Sequence, residues 1–91
     1  MGYEIYYHHN KQECDFIIRE NGKIINAIQV SHSIDNENVR SREINGLQEA
    51  ILQYDLNNGL IITEDEEEII RLNELTIQVI PAWKWLLAYN G

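Results

Sequence analysis

The stretch that decides the fold is ECDFIIRENGKIINAIQVS, residues 13–31. Residues 14–18 and 23–31 are β-type runs. Glu20-Asn21-Gly22 between them is a tight-turn signal. The two runs are expected to form a β-hairpin. Ile17, Ile18, Ile24, Ile25, Ile28 and Val30 put apolar groups on both faces. That pattern predicts central strands covered on each side, not a sheet with one wet face.

Outward from the hairpin, residues 3–9 (YEIYYHH) are aromatic-rich and read as a preceding strand. After Ser33 the character changes. Asp35, Asn36 and Asn38 are N-cap candidates. From residue 39 to 54, Ile44, Leu47, Ile51 and Tyr54 recur on one helical face, while Arg40, Arg42, Glu43, Glu49 and Gln53 cover much of the rest. Gly46 inside this helix marks close packing. Asn57-Asn58-Gly59 is read as its end. Residues 60–63 (LIIT) follow as a short buried strand. Hairpin, helix, strand is the order of an α/β sheet with a crossover connection. Residues 64–75 fit either of two readings. Acids ahead of Ile69-Ile70 suit a helix start; Ile70, Leu72 and residues 76–80 (TIQVI) suit a hairpin turning near Asn73-Glu74, the reading preferred here. Pro81 suits the first turn of a closing helix built on Trp83, Leu86 and Leu87, with Trp85 on its flank.

Composition bounds the function. Ninety-one residues make one domain at most. Fifteen acids against seven bases give a formal charge of −8, which argues against a free-standing nucleic-acid binder. No apolar run reaches the roughly 18–20 residues of a membrane span. The N-terminus has no basic-then-apolar signal peptide, and Tyr6 stands where myristoylation wants Ser or Thr. Cys14 is the one cysteine, so no internal disulfide forms, and a free thiol suits a reducing cytosol. The chain has no phosphate-binding loop of its own and no internal repeat.

The string Glu13-Cys14-Asp15-Phe16-Ile17-Ile18, then Asn21-Gly22-Lys23, then Ala27-Ile28-Gln29-Val30, is similar to the core of PD-(D/E)XK nuclease-like domains. More specifically, the chain resembles the C-terminal domain of a family of bacterial and archaeal AAA-type ATPases. Ser41-Arg42-Glu43-Ile44, Gly46-Leu47, residues 59–66 (GLIITEDE) and residues 81–87 (PAWKWLL) carry the rest of that resemblance. It implies a restriction-endonuclease-like mixed sheet with flanking helices, and a cytoplasmic domain that is a piece of a longer protein. The family's first helix, which precedes the first strand and carries an acid, is missing from this segment.

The resemblance also implies a site. Phosphodiester cleavage in such a core uses a hard divalent cation on carboxylate and carbonyl oxygens; this segment alone is expected to carry no cofactor, with Mg2+ entering only if the site is intact. A neighbouring Lys stabilises developing negative charge. Asp15 matches the carboxylate, and Gln29 the second ligand, as a neutral one. Ser31 stands where the Lys is expected, so the cationic element is gone. Lys23 lies at the hairpin tip, which leaves Arg42 or Arg40 as a substitute cation. Asp15 and Gln29 must share a face to share a metal. A two-residue turn at Asn21-Gly22 sets Asp15 opposite Ile28 and turns Gln29 away. A three-residue loop, Glu20-Asn21-Gly22, sets Asp15 opposite Ala27 and puts Gln29 on its face. The three-residue loop is the expectation.

Other chemistry-bearing residues have bland readings. Adjacent His8 and His9 point to opposite faces of a strand and do not chelate. Glu13 has the wrong parity to replace Asp15, and His32 reads as a surface side chain beside the site. Residues 64–68 (EDEEE) read as a solvated acidic turn. Trp83 and Trp85 read as one core anchor and one partly exposed ring. The function expected is a non-catalytic, nuclease-like interaction or regulatory domain of a P-loop ATPase, with that protein's remainder as partner. A metal-dependent DNA nuclease module is the alternative. So is a homodimerisation module using the face left by the missing helix or the aromatic first strand, Tyr3, Tyr6 and Tyr7.

Overall fold

The hairpin turns on two residues, not three. The computed structural model describes the backbone of residues 3–9 and 13–90, and the side chains of Ile5 and residues 16–88. Within it, β2 (Glu13–Glu20) and β3 (Lys23–Val30) pair antiparallel, with Glu20 opposite Lys23. Asn21 and Gly22 both take positive φ, 55° and 79°. Asn-Gly does this at little steric cost, and a two-residue turn with both φ positive follows the strand twist. The extra residue expected in the loop sits instead inside the strand. Pairing steps from Arg19 opposite Ile24 to Ile18 opposite Asn26, so β3 bulges at Ile25. Beyond the bulge Ile17 faces Ala27 and Phe16 faces Ile28. Ala27 is therefore the partner of Ile17, not of Asp15.

Among the described residues six strands form one mixed sheet in the order β1-β2-β3-β4-β6-β5. β1 (Tyr3–His9) lies antiparallel to β2 at one edge. β3, β4 (Asn58–Thr63) and β6 (Leu75–Pro81) are the parallel centre, and β5 (Glu68–Leu72) closes the other edge antiparallel to β6. The hairpin reading of residues 64–75 holds, with Leu72 opposite Leu75 across Asn73 at φ 55°.

Between β3 and β4 runs α1 (Glu37–Gln53), the crossover that a parallel pair requires. Asn36 caps it, its Oδ1 accepting from the amides of Asn38 (2.8 Å) and Val39 (3.2 Å). The helix stops before the Asn57-Asn58-Gly59 signal. Asp55 takes the left-handed turn (φ 57°), while Gly59 lies buried within β4. A Cβ at residue 59 would stand 2.9 Å from both Ile51 Cδ1 and Leu47 Cγ, so α1 rests directly on this glycine.

Strand alternation splits the core in two. On the α1 face Ile17, Ala27, Leu47, Ala50, Ile51, Ile61, Ile77 and Val79 pack together. On the other face Ile28, Leu60, Ile62 and Ile80 pack with Ala82 and Trp85 of α2 (Ala82–Asn90). The phase of α2 differs from expectation. Pro81 pairs with Thr63 as the last residue of β6, so the helix starts at Ala82. Ala82 and Trp85, three apart, then face the sheet, and Trp83, Leu86 and Leu87 point away and are exposed. α2 touches β4 and β6. The expected two-sided cover of β2 and β3 is thus incomplete, with Phe16, Val30 and Ile5 exposed on the α2 side.

Candidate functional site

The predicted site residues belong to the region where β3 runs out and α1 begins. Carboxyl ends of parallel strands at a crossover are where α/β sheets open a crevice. Here it is an open cleft of about 530 Å³ lined by Ser31, His32, Ser33, Asp35, Asn36, Val39 and Arg42.

Gln29 follows Ile28 on β3 and is 2% exposed. Strand parity puts it on the α1 face with Ala27. Its Nε2 donates to the carbonyl oxygen of Glu43 in α1, at 3.2 Å. Asp15 lies in β2 two residues before Ile17, so positions 15 and 29 share the parity of the Ile17–Ala27 pair. The bulge at Ile25 has supplied the shift that a longer loop was expected to supply. The side chain of Asp15 lies outside the described residues, as do those of His8, His9, Glu13 and Cys14, and of Tyr3, Tyr6 and Tyr7.

Ser31 stands at the mouth of the cleft. Its amide donates to the Ile62 carbonyl at 2.9 Å, and its hydroxyl to the Ser33 carbonyl at 2.9 Å. The hydroxyl is thus engaged in shaping the loop that leads into α1. His32 is exposed, with Nδ1 3.7 Å from Glu64 Oε2.

The two candidate cations separate. Arg40 grips Glu68 with both terminal nitrogens, Nη1 to Oε1 at 2.8 Å and Nη2 to Oε2 at 3.0 Å. That hydrogen-bonded pairing raises the Arg40 pKa further and holds the Glu68 carboxyl below its ordinary value, against a smaller opposing effect of burial. Arg40 is committed to the fold. Arg42 lines the cleft with Ser31 and is 69% exposed, its Nε 3.7 Å from Glu43 Oε1.

The acidic stretch after β4 is more than a solvated turn. Glu66 Oε1 accepts from the Ile34 amide at 2.7 Å, and Oε2 from the Ser33 hydroxyl at 3.0 Å. Thr63 Oγ1 accepts from the Glu66 amide at 3.0 Å and donates to the Glu66 carbonyl at 2.9 Å. Glu67 pairs with Lys84 of α2. Glu66 and Glu67 therefore tie the segment after β4 to the cleft loop and to α2, and Glu68 ties the start of β5 to α1. Sequence reasoning missed Glu66. The available signal was Thr63-x-x-Glu66, the spacing at which a hydroxyl reaches an amide three residues on.

The described side chains do not compose a divalent-metal site. Gln29 brings one neutral oxygen, and among the described residues no three His, Cys, Asp or Glu gather as ligands. Among the described residues, too, no helix is long and apolar enough to cross a membrane.

No family model matches the chain, and no solved structure matches it. Over 83 residues it is 36% identical to an uncharacterized protein of Methanocaldococcus jannaschii. The match takes in 85% of this chain but only 18% of that protein, so the chain spans less than a fifth of its relative's length.

Proposed function

We propose that this domain is a non-catalytic, restriction-endonuclease-like module of a larger cytoplasmic ATPase, working through protein contacts. The observation that carries the reading is the use to which the site positions are put. The residue at the expected Lys position is Ser31, and its hydroxyl holds the Ser33 carbonyl. The Gln29 amide is buried and bonded to α1. Two of the three positions that the resemblance assigns to metal and charge, Gln29 and Ser31, serve here to fasten β3 to the crossover. The element order of hairpin, crossover helix, parallel strand and second hairpin supports the fold comparison. The greater length of the relative supports membership of a larger protein.

The test is a titration with Mg2+ and Mn2+, reading the backbone amides of Asp15, Gln29 and Ser31 by NMR. The expected result is no saturable shift up to millimolar metal. Joint saturable shifts at Asp15 and Gln29 would sink the non-catalytic reading.

One observation favours a second reading, a metal-dependent DNA nuclease completed by the rest of a larger protein. Arg42 lines the same cleft as Ser31 and places a cation there from α1. Cleavage by the full-length protein that is abolished by Arg42→Ala establishes this alternative. Absence of cleavage with either metal removes it.

A further inference from the structure

α2 is apolar almost all the way round. Ala82 and Trp85 face its own sheet, and Trp83 (59% exposed), Leu86 and Leu87 (66% exposed) form a stripe on the outside. Its one charge, Lys84, is paired with Glu67. A helix apolar on all sides is one that ends up buried. Beside it, the same side of the sheet is open over β1–β3. Ile5 pairs with Ile18 and Phe16 with Ile28, which fixes all four on the α2 face. With Val30, Ile62 and Trp85 they line a wholly apolar hollow of about 220 Å³.

The stripe and the hollow complement each other, and both belong to every copy of the chain. We propose that two copies associate about a twofold axis, α2 face to α2 face. The Trp83–Leu86–Leu87 stripe of one copy seats on the open Ile5–Phe16–Val30 face of the other. Each α2 is then buried between two sheets. Such a contact is isologous and closes on itself, so it stops at a dimer.

Size fits a second copy. Ile5, Phe16, Val30, Trp83, Leu86 and Leu87 are 42–66% exposed, and at about 150–250 Å² for a whole aromatic side chain and somewhat less for an aliphatic one they present roughly 600 Å². With a polar rim this approaches the roughly 800 Å² per partner of a stable interface. This inference is independent of what the cleft does.

Light scattering on the 91-residue chain at micromolar concentration tests it. The expected mass is that of a dimer. Leu87→Glu and Val30→Lys, on the two halves of the contact, are each expected to weaken dimerisation at least tenfold. Far-ultraviolet circular dichroism should stay unchanged in both, since both positions are exposed. The Trp emission of the parent chain should shift to the red on dilution, and Trp83→Phe should remove most of that shift. A monomer at all concentrations overturns the proposal. So does a dimer indifferent to both substitutions. Protection of Leu87 and Val30 in a full-length protein whose isolated domain is monomeric likewise overturns it, and assigns the face to another segment.

Discussion

Gly59 and Gln29 show how little room the crossover leaves at the level of single residues. α1 lies so close to β4 that any Cβ at position 59 meets Ile51 and Leu47 at 2.9 Å. Gly59→Ala is expected to cost about 1–3 kcal/mol, read as a fall in the urea midpoint with little change in slope, because both neighbours sit in a packed core. Gln29 makes a different demand. It is buried, neutral, and donates to a helix carbonyl. In Gln29→Glu the protonated acid can still donate there; the ionised acid cannot, and its charge would be buried. Burial then raises the folded-state pKa above the unfolded value of about 4.3. Stability of the variant should match the parent below that value and fall as pH rises through the folded pKa, by about 2–4 kcal/mol at neutrality. Urea melts of both proteins at pH 4 and pH 7 check this. Equal loss at both values would mean that charge is not the cause.

At the level of elements, the loop from β4 to β5 acts as a clasp. Its carboxylates reach the loop entering α1 and α2, and Glu68 at the start of β5 reaches the first turn of α1. The Arg40–Glu68 arm has a pH signature. Glu68 is held below its ordinary carboxylate pKa chiefly by its hydrogen bond to Arg40. A depressed folded-state pKa contributes stability above the unfolded value, and that contribution is lost as pH falls through the folded one. Both side chains are partly exposed, so solvent screening keeps the contribution at about 0.2–1 kcal/mol. Arg40→Gln is expected to lower stability by that amount at pH 7 and by nothing near pH 2. Denaturation midpoints across this range, with high salt narrowing the difference, are the check.

For the molecule as a whole, protection should be graded across the sheet. β4 is paired on both sides and buried from Gly59 to Thr63, under α1 on one face and α2 on the other. β1 is an edge, and its Ile5 is exposed. Amide exchange should be slowest at Ile61 and Ile62, approaching the global unfolding free energy, and fastest in β1. If dimerisation covers the α2 side as proposed, amides of β1 and β2 should slow with concentration, and those of β4 should slow as well, because the dimer stabilises the chain against the global unfolding through which they exchange. Uniform exchange across all six strands would mean that the sheet opens as one unit.

Much of this architecture is legible in residue order alone. Asn21-Gly22 demands a reversal because both residues accept positive φ, and the period-2 and period-3.6 patterns on either side allow only strands and a crossover helix. The hairpin at Asn73-Glu74 is one of two readings that residues 64–75 allow, and Asn73 alone takes the positive φ there. Three things were not legible. Whether positions 15 and 29 share a parity depends on a bulge at Ile25, and a bulge arises from packing against both neighbouring strands. Which Trp anchors α2 depends on where β6 stops pairing with β4, a one-residue question that rotates the helix by about 100°. Which arginine stays available to the cleft depends on Glu68, 28 residues beyond Arg40 and brought to it only by the finished sheet. Local sequence determined the elements because backbone preferences act over a few residues. Tertiary structure decided the site and the exposed face, because both depend on the phase between elements that meet only when the chain is folded.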